Sequence, residues 1–184
     1  IMEIRNHKNV WAPWRINYLK GFKDEDFSKT ISKDHCFMCE DFATPQNDKK
    51  TLLLWRGVNA FVVFNKYPYT GGHMLIVPNR HVPTLADLDD KTMLEMMHLC
   101  RDIQSVLTEV ISPMGFNIGV NIGRAGGAGL PGHLHMHVVP RWDGDTNFMT
   151  VTSDVRVISQ AMDHLYDDLI VTSKKMRLPK CGDA

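Results

Sequence analysis

A chain of 184 residues with 21 basic and 21 acidic side chains has no formal net charge and is long enough to bury one hydrophobic core without disulfides. The charge balance disfavours nucleic acid and anionic membranes as partners, because both attract proteins with a summed positive charge, and it favours a small ligand. No stretch approaches the roughly 20 apolar residues of a membrane-spanning helix, and the first residues lack the pattern of a secretory signal, so we expect a soluble, cytoplasmic protein with a single domain over residues 1–184.

The first regular elements predicted along the chain are two strands. Residues 2–35 follow neither helical nor strand periodicity and are expected to form an arm that packs on another surface. Residues 44–50 are expected to form a loop. The β-branched and aromatic runs 52–55 and 58–64 are separated by two residues that include a glycine, which predicts a hairpin.

A long amphipathic helix is predicted after a third strand. The short apolar run 73–77 is ended by Pro78 and predicts that strand. From Asp89 onward, apolar residues recur every three or four positions up to Pro113, which is typical of a helix with one apolar face. This face includes Met93 and Met97, and we expect its methionines to lie in the core.

The remaining pattern completes an α+β fold. It predicts a strand over residues 115–122, a glycine-rich loop over 123–132, a strand over 133–139 ended by Pro140, and a helix that begins after Ser153. About five strands, mostly joined by tight turns, indicate an antiparallel sheet with one long helix and a C-terminal helix packed on it.

Three histidines, His133, His135 and His137, alternate with apolar residues in the last predicted strand. Side chains on a strand point to opposite faces with a period of two, so the three imidazoles should share one face while Leu134 and Met136 enter the core. Such imidazoles can bind zinc and activate water, or one of them can act as a nucleophile. The glycine-rich loop directly before the strand favours phosphate chemistry, because its backbone N–H groups can turn inward around an anion.

A second candidate site is the CxxC pair Cys36 and Cys39. In a cytosolic chain this spacing favours metal binding or redox chemistry over a disulfide framework. Structural zinc normally has four Cys or His ligands, so a metal here requires two more from elsewhere in the chain. A redox pair and two ordinary free thiols are the alternatives, although no thioredoxin-like order of elements surrounds the pair.

Residues 133–139 resemble the HxHxHxx motif, with apolar x, of the histidine-triad superfamily of nucleotide hydrolases and transferases. Other landmarks of that superfamily recur in the same order over about residues 36–142, namely Phe64-Asn65, the run 72–78, Gly115-Phe116-Asn117 and Pro140-Arg141. The arm with Trp11 and Trp14, and the pairs Arg141-Trp142, Gly144-Asp145 and Asn147-Phe148, are similar to the branch that contains the bacterial diadenosine tetraphosphate phosphorylases. Residues 143–184 are then expected to form a C-terminal helical extension.

The resemblance implies a covalent mechanism. His135 would attack the α-phosphorus of an adenosine-type nucleotide and form a nucleotidyl-histidine intermediate, which water, phosphate or another acceptor then releases. His137 would donate to the phosphoryl oxygens together with amides of the glycine-rich loop, for which Gly127 and Gly129 are the candidates.

The resemblance also implies the contacts that hold the nucleotide. Asn65 would bind the ribose hydroxyls, and His73 and Asn121 would lie near the phosphates. Trp142 is the candidate for a contact with adenine, with core or dimer packing as the alternative.

Zinc-bearing members of the superfamily complete their metal site with histidines at positions that match His81 and His133. The resemblance therefore implies a structural zinc ion bound by Cys36, Cys39, His81 and His133, with His133 structural instead of catalytic. No organic cofactor is expected. A homodimer is expected, with the long helix and neighbouring strands at its interface.

The chain departs from many family members just before the triad. Where they place Ser, Thr or Gln three or four residues ahead of the first histidine, this chain has Gly129 and Leu130. A hydroxyl expected to hold inorganic phosphate is thus missing, and Arg124 offers a compensating cation. We therefore expect a hydrolase or transferase acting at the α-phosphate of a dinucleoside polyphosphate or related adenylate, with phosphorolysis as the close alternative. A nucleotide-binding sensor without turnover and a zinc-dependent hydrolase are the other hypotheses.

Overall fold

The computed structural model describes residues 32–145 and 161–180. In this part of the chain the strands are β1 (Leu53–Arg56), β2 (Ala60–Phe64), β3 (Met74–Pro78), β4 (Gly115–Val120) and β5 (Met136–Arg141). The helices are α1 (Phe37–Ala43), α2 (Asp48–Thr51), α3 (Asp90–Ile111) and α4 (Met162–Met176), with 3₁₀ turns at Lys33–His35, Pro45–Asn47 and Leu85–Asp87. Trp11, Trp14, Asn147, Phe148 and Ser153 lie outside the described residues.

The strands form one antiparallel sheet in the order β1-β2-β3-β5-β4, which confirms the predicted α+β class. Helices α3 and α4 cover one face, and α1 with the segment before it packs against the other. Because both faces are covered, every residue of β2 and β3 is buried, whereas β4 at the sheet edge is largely exposed. No described helix has the length and apolar character needed to cross a membrane.

The long helix α3 begins and ends where the sequence predicts. The side chain of Asp89 accepts a hydrogen bond from the backbone N–H of Thr92 and caps the first turn, and Ser112 in a left-handed conformation ends the helix before Pro113. Met93 and Met97, however, are 36% and 54% exposed, so their prediction as core residues was wrong. The apolar stripe of α3 is wider than the strip that the sheet covers.

The prediction for residues 44–50 and the bounds of β5 also differ from the structure. Residues 44–50, predicted as a loop, are mostly helical. The sequence did not reveal these helical turns because they are short and polar and carry no apolar periodicity. Strand β5 begins at Met136 instead of residue 133, and it continues through Pro140. A proline is tolerated there because β3 pairs with β5 only as far as Val138.

The C-terminal helix α4 is attached to β1 by two buried hydrogen bonds. The indole N–H of Trp55 donates to Oγ of Ser173, and the hydroxyl of Tyr166 donates to the carbonyl of Leu53. Buried polar groups are costly unless paired, so these contacts fix how α4 lies on the sheet.

Candidate active site and metal-binding cluster

The four predicted metal ligands come together beneath the sheet. One donor atom from each of Cys36, Cys39, His81 and His133 lies within 4.8 Å of all the others. Nδ1 of His133 is 3.2 Å from Sγ of Cys36 and 3.5 Å from Sγ of Cys39, and Nδ1 of His81 is 3.4 Å from the same Cys39 sulfur. The structure thus brings the CxxC pair to two histidines that are distant in sequence.

This cluster fits a tetrahedral zinc ion. Zinc–sulfur and zinc–nitrogen bond lengths place neighbouring ligand atoms roughly 3.3 to 3.8 Å apart. The three nitrogen–sulfur separations of 3.2, 3.4 and 3.5 Å are close to this range. The far ring nitrogen of His133 donates to the carbonyl of Pro78 at 2.9 Å, and such an outer contact orients a metal-binding imidazole. Partial burial and the neighbouring Cys36 raise the pKa of the Cys39 thiol to about 12, so the thiol is protonated at neutral pH unless a cation is present.

His135 lies directly beside this cluster with a defined tautomer. Its Nδ1 is 2.8 Å from the carbonyl oxygen of His133, which can only accept, so Nδ1 carries the proton and Nε2 keeps its lone pair. The side chain is 5% exposed, and burial lowers its pKa below the ordinary value of 6.5. A neutral imidazole with a free Nε2 lone pair is the form in which histidine acts as a nucleophile.

A hydrogen-bond relay through His73 fixes the tautomer of His137. The backbone N–H of Tyr69 donates to Nδ1 of His73 at 3.1 Å, so the proton of His73 resides on Nε2. That Nε2 is 3.0 Å from Nδ1 of His137, which must accept, and the proton of His137 therefore resides on its own Nε2. Among the described residues this Nε2 is buried and has no hydrogen-bond partner.

Among the described residues, the buried Nε2–H of His137 lacks a hydrogen-bond acceptor and lies next to His135. The rings of His135 and His137 are 5.0 Å apart and nearly perpendicular. Leaving a buried N–H unpaired costs about 1–3 kcal/mol, which an incoming acceptor oxygen would recover. The pair therefore presents a nucleophilic nitrogen and a hydrogen-bond donor side by side.

Asn65 supports the relay from the end of β2. Its amide nitrogen lies 3.3 Å from Nδ1 of His73, and its side-chain oxygen accepts from the backbone N–H of Tyr67. The predicted substrate residues Asn65 and His73 are thus in contact with each other and, through His73, with His137.

The glycine-rich loop before the triad is closed by its own hydrogen bonds. The side chain of Asn121 donates to the carbonyl of Gly127 at 3.4 Å, and Gly127 has a positive φ of 83°. A side chain on Gly126 would clash with the carbonyl of Ile122, whereas Gly129 has open space around its Cα. The predicted phosphate-site residues Asn121 and Gly127 are therefore joined to each other by a hydrogen bond.

Trp142 is not brought to the triad. It follows the far end of β5, five residues beyond His137 and thus about 16 Å along an extended strand. Its indole N–H donates to the carbonyl of Ser112 at the end of α3. Within one chain this contact serves packing, and the adenine role stays a prediction.

The sequence did not reveal Tyr69 as part of the site. Its ring lies against both His73 and His137, and its amide is the first donor of the relay. No periodicity or motif distinguishes this tyrosine from Tyr67, which is 84% exposed in the same turn.

A model of the HIT domain matches residues 44–144 of the chain. The chain belongs to the HIT domain family. It is 38% identical over 157 residues, 84% of this chain and 78% of the relative, to a protein of Mycobacterium tuberculosis named AP-4-A phosphorylase. Over 86 residues, 47% of this chain and 46% of the relative, it is 37% identical to the asymmetrical bis(5'-nucleosyl)-tetraphosphatase of Schizosaccharomyces pombe.

The fold is similar to that of solved family members. The crystal structure of a Zn-bound histidine triad family protein from Mycobacterium smegmatis superposes with a TM-score of 0.63 at 24% identity, covering 79% of this chain and 98% of that one. The histidine-triad resemblance expected from residues 133–139 is therefore confirmed, together with the sheet architecture that supports it.

Proposed function

We propose that this HIT protein is a hydrolase or transferase that cleaves at the α-phosphate of an adenosine-type nucleotide, a dinucleoside polyphosphate or a related adenylate. The observation that carries the proposal is the pairing of the Nε2 lone pair of His135 with the Nε2–H of His137, which has no hydrogen-bond partner in the described part of the chain. The names of the relatives from Mycobacterium tuberculosis and Schizosaccharomyces pombe support the substrate class.

In the proposed reaction Nε2 of His135 attacks the α-phosphorus. A nitrogen–phosphorus bond forms as the bond to the leaving polyphosphate oxygen breaks, which gives nucleotidyl-His135, and an acceptor then displaces the histidine. His137 donates its Nε2–H to an equatorial phosphoryl oxygen, where negative charge has to be stabilised as the bonds change. The backbone N–H groups of the loop around Gly127 and Gly129 supply further donors.

The contacts that hold the nucleotide are part of the proposal. His73 contacts His137, and Asn65 contacts His73. The two residues would orient the ribose and phosphates, and Asn121 would keep the glycine-rich loop in its phosphate-binding form. Trp142 would reach adenine only from outside this chain's own site, so its contact depends on how a second copy packs.

We propose that Cys36, Cys39, His81 and His133 hold a structural zinc ion. When bound, the ion would join the first turn of α1 to the residues that lead into β5, and it would take no part in bond breaking. The metal-binding group found among the described residues includes His133 but neither His135 nor His137, which disfavours a zinc-dependent hydrolase built on all three triad histidines.

We also propose a homodimer that pairs the exposed edge of β4 and the outer face of α3. A groove of about 620 Å³ runs between these elements and is lined partly by Met97 and Ile118, which are 54% and 46% exposed. Strand edges and exposed apolar side chains favour association with a second copy.

The test is incubation with diadenosine tetraphosphate, with and without inorganic phosphate, followed by separation of the nucleotides. AMP plus ATP formed in water alone is the result expected of a hydrolase. A nucleotidyl-protein adduct should be detectable by intact-protein mass spectrometry at alkaline pH. The variant His135→Ala should lose both, whereas His164→Ala, an exposed histidine on α4, should keep both.

Other outcomes identify the competing functions. Turnover that survives His135→Ala contradicts the covalent mechanism, and turnover lost on chelation without any adduct indicates a zinc-dependent hydrolase. Tight nucleotide binding without product or adduct under any acceptor indicates a sensor.

Phosphorolysis is the second candidate because of the 38% identity to the AP-4-A phosphorylase. ADP plus ATP formed only in the presence of inorganic phosphate would identify it. The glycine and leucine at 129 and 130 lack a side-chain donor for that phosphate, so Arg124 is the residue whose substitution should then raise the KM for phosphate.

A further inference from the structure

The ring of Tyr69 contacts both imidazoles of the relay. Its centroid is 4.7 Å from that of His73, and it lies 6.0 Å from His137 with an interplanar angle of only 18°. Both separations are within the 4.5–7 Å range in which aromatic rings attract one another. The backbone N–H of the same residue donates to Nδ1 of His73, so Tyr69 contacts the relay through its backbone and its ring.

The turn that carries Tyr69 is held firmly at several points. Asn65 N–H donates to the carbonyl of His73 at 2.9 Å, and His73 N–H donates to the carbonyl of Thr70. The hydroxyl of Thr70 donates to the carbonyl of Pro140, which ties the turn to β5. The fold therefore fixes the backbone of the turn from which the Tyr69 side chain extends.

The ring also separates the relay from solvent. Tyr69 is 47% exposed, whereas His73 beneath it is fully buried. Water admitted to this space would offer each imidazole nitrogen a competing partner and would let the His137 ring turn, because an unpacked χ2 torsion is broad. Either change would move the Nε2–H away from the position beside His135.

We propose that Tyr69 is a positioning residue whose ring keeps His137 in the orientation and tautomer that aim its Nε2–H into the site. The inference extends the proposed function, since it assigns the donor that the phosphoryl group would meet. The ring's part is separable from that of the backbone, because the Tyr69 N–H remains in every substitution except proline.

Three variants divide the contributions of the side chain. Tyr69→Phe keeps the aromatic plane, Tyr69→Leu keeps apolar cover without the plane, and Tyr69→Ala removes both. Tyr67→Ala is the matched control, because this tyrosine is in the same turn, is 84% exposed and has no contact with the relay among the ring contacts described.

The first measurement is the tautomer of His73 and His137 in protein labelled with ¹⁵N-histidine, read from long-range proton–nitrogen correlations at neutral pH. Wild type, Tyr69→Phe and Tyr67→Ala should show the Nε2–H form of both rings. Tyr69→Ala should show averaged Nδ1 and Nε2 signals for His137, with an unchanged fold by circular dichroism. A single Nε2–H tautomer retained in Tyr69→Ala overturns the proposal.

The second measurement is steady-state kinetics on the substrate that the wild type turns over. Misplacing a reacting group by about 1 Å can lower the rate about 100-fold, so Tyr69→Ala should lower kcat by about 10- to 100-fold with little change in KM. Tyr69→Phe should restore wild-type kcat and Tyr69→Leu should fall between them. Loss in Tyr69→Phe equal to that in Tyr69→Ala contradicts a role for the ring plane.

The two proposals fail in different ways. A wild-type protein without turnover or adduct contradicts the proposed function, while the tautomer measurement still decides whether Tyr69 positions His137. Normal wild-type turnover with unchanged tautomer and kcat in Tyr69→Ala contradicts only the role of Tyr69.

Discussion

The carbonyl oxygen of His133 accepts a hydrogen bond from Nδ1 of His135 at 2.8 Å. The ring of His133 faces Sγ of Cys36 on one side and donates to the carbonyl of Pro78 on the other. One residue is therefore a candidate metal ligand through its side chain and the orienting partner of the proposed nucleophile through its backbone. Loosening this candidate metal cluster should consequently affect His135, although no hydrogen bond among the described residues joins its Nε2 to the cluster.

Cys39→Ser should remove zinc and slow formation of the His135 adduct. Replacing a thiolate ligand typically weakens a metal site, and we expect a loss of zinc affinity of at least about 10- to 100-fold, by analogy with changes in outer contacts. Zinc content by elemental analysis, Tm and the rate of adduct formation report the three consequences. Cys100→Ala, a buried cysteine of α3 outside the cluster, should retain zinc. Zinc loss without any change in adduct rate would contradict the coupling.

His137→Ala should lower kcat by about 100- to 1,000-fold. The reason is that deleting one preorganised donor to a developing oxyanion typically has an effect of this size. Single-turnover measurements should show slower adduct formation with substrate binding largely retained. A decrease of less than about fivefold would mean that the unpartnered Nε2–H does not face the reacting phosphoryl group.

The pH dependence of stability should carry a contribution from His137. Burial, and secondarily His135, lowers its pKa from 6.5 to about 4. Because the folded pKa lies below the unfolded value, the unfolded chain takes up the proton first as pH falls. The free energy of unfolding therefore decreases between about pH 6.5 and pH 4. His137→Gln should make this decrease shallower in urea titrations across the window, and identical curves for the two proteins would refute the contribution.

Gly72→Ala should destabilise the turn that carries Tyr69. Gly72 has a φ of +77°, and a Cβ there would lie 2.8 Å from Cδ1 of Ile111 and 3.3 Å from Cγ of Pro140. We expect a loss of about 1–3 kcal/mol in the free energy of unfolding. Gly71→Ala is the neighbouring control, because no atom lies within 4 Å of a Cβ at that position. Equal stability of the two variants would show that the turn relaxes easily.

Ile118→Asp should convert the proposed dimer into a monomer. The substitution places a charge on the exposed face of β4, where a second copy would exclude water. Sedimentation velocity should give a dimer for the wild type and for Val171→Asp, which changes an exposed apolar residue on α4. A monomeric wild type at micromolar concentration would refute the homodimer.

The pattern of apolar residues predicted the helix that is buried on one face and the strands that are buried throughout. The spacing of apolar residues in α3 and the short β-branched runs located the helix and the sheet, because burial imposes those patterns. The same reasoning wrongly placed Met93 and Met97 in the core. Apolar character shows that a helical side chain can be buried, but it does not show whether a neighbouring element covers it. Helices α1 and α2 span only seven and four residues, which is too short to give a pattern.

The two sites differ in how far the sequence revealed them. The triad histidines alternate along five consecutive residues and could be found directly. His81 lies 42 residues from Cys39, so its selection depended on the family resemblance. The tautomers of His73 and His137 follow from which atom donates in each hydrogen bond. Sequence spacing contains no information about such hydrogen bonds.

The attachment of α4 to β1 bears on how the protein is made in a cell. The partners of its two buried hydrogen bonds, Trp55 with Ser173 and Leu53 with Tyr166, are 118 and 113 positions apart. A nascent chain on the ribosome therefore lacks these two contacts of β1 until nearly all of the helix has been synthesised. Closure of this face of β1 should therefore be a late step of folding, and a chaperone that shields apolar strands would have its longest opportunity there.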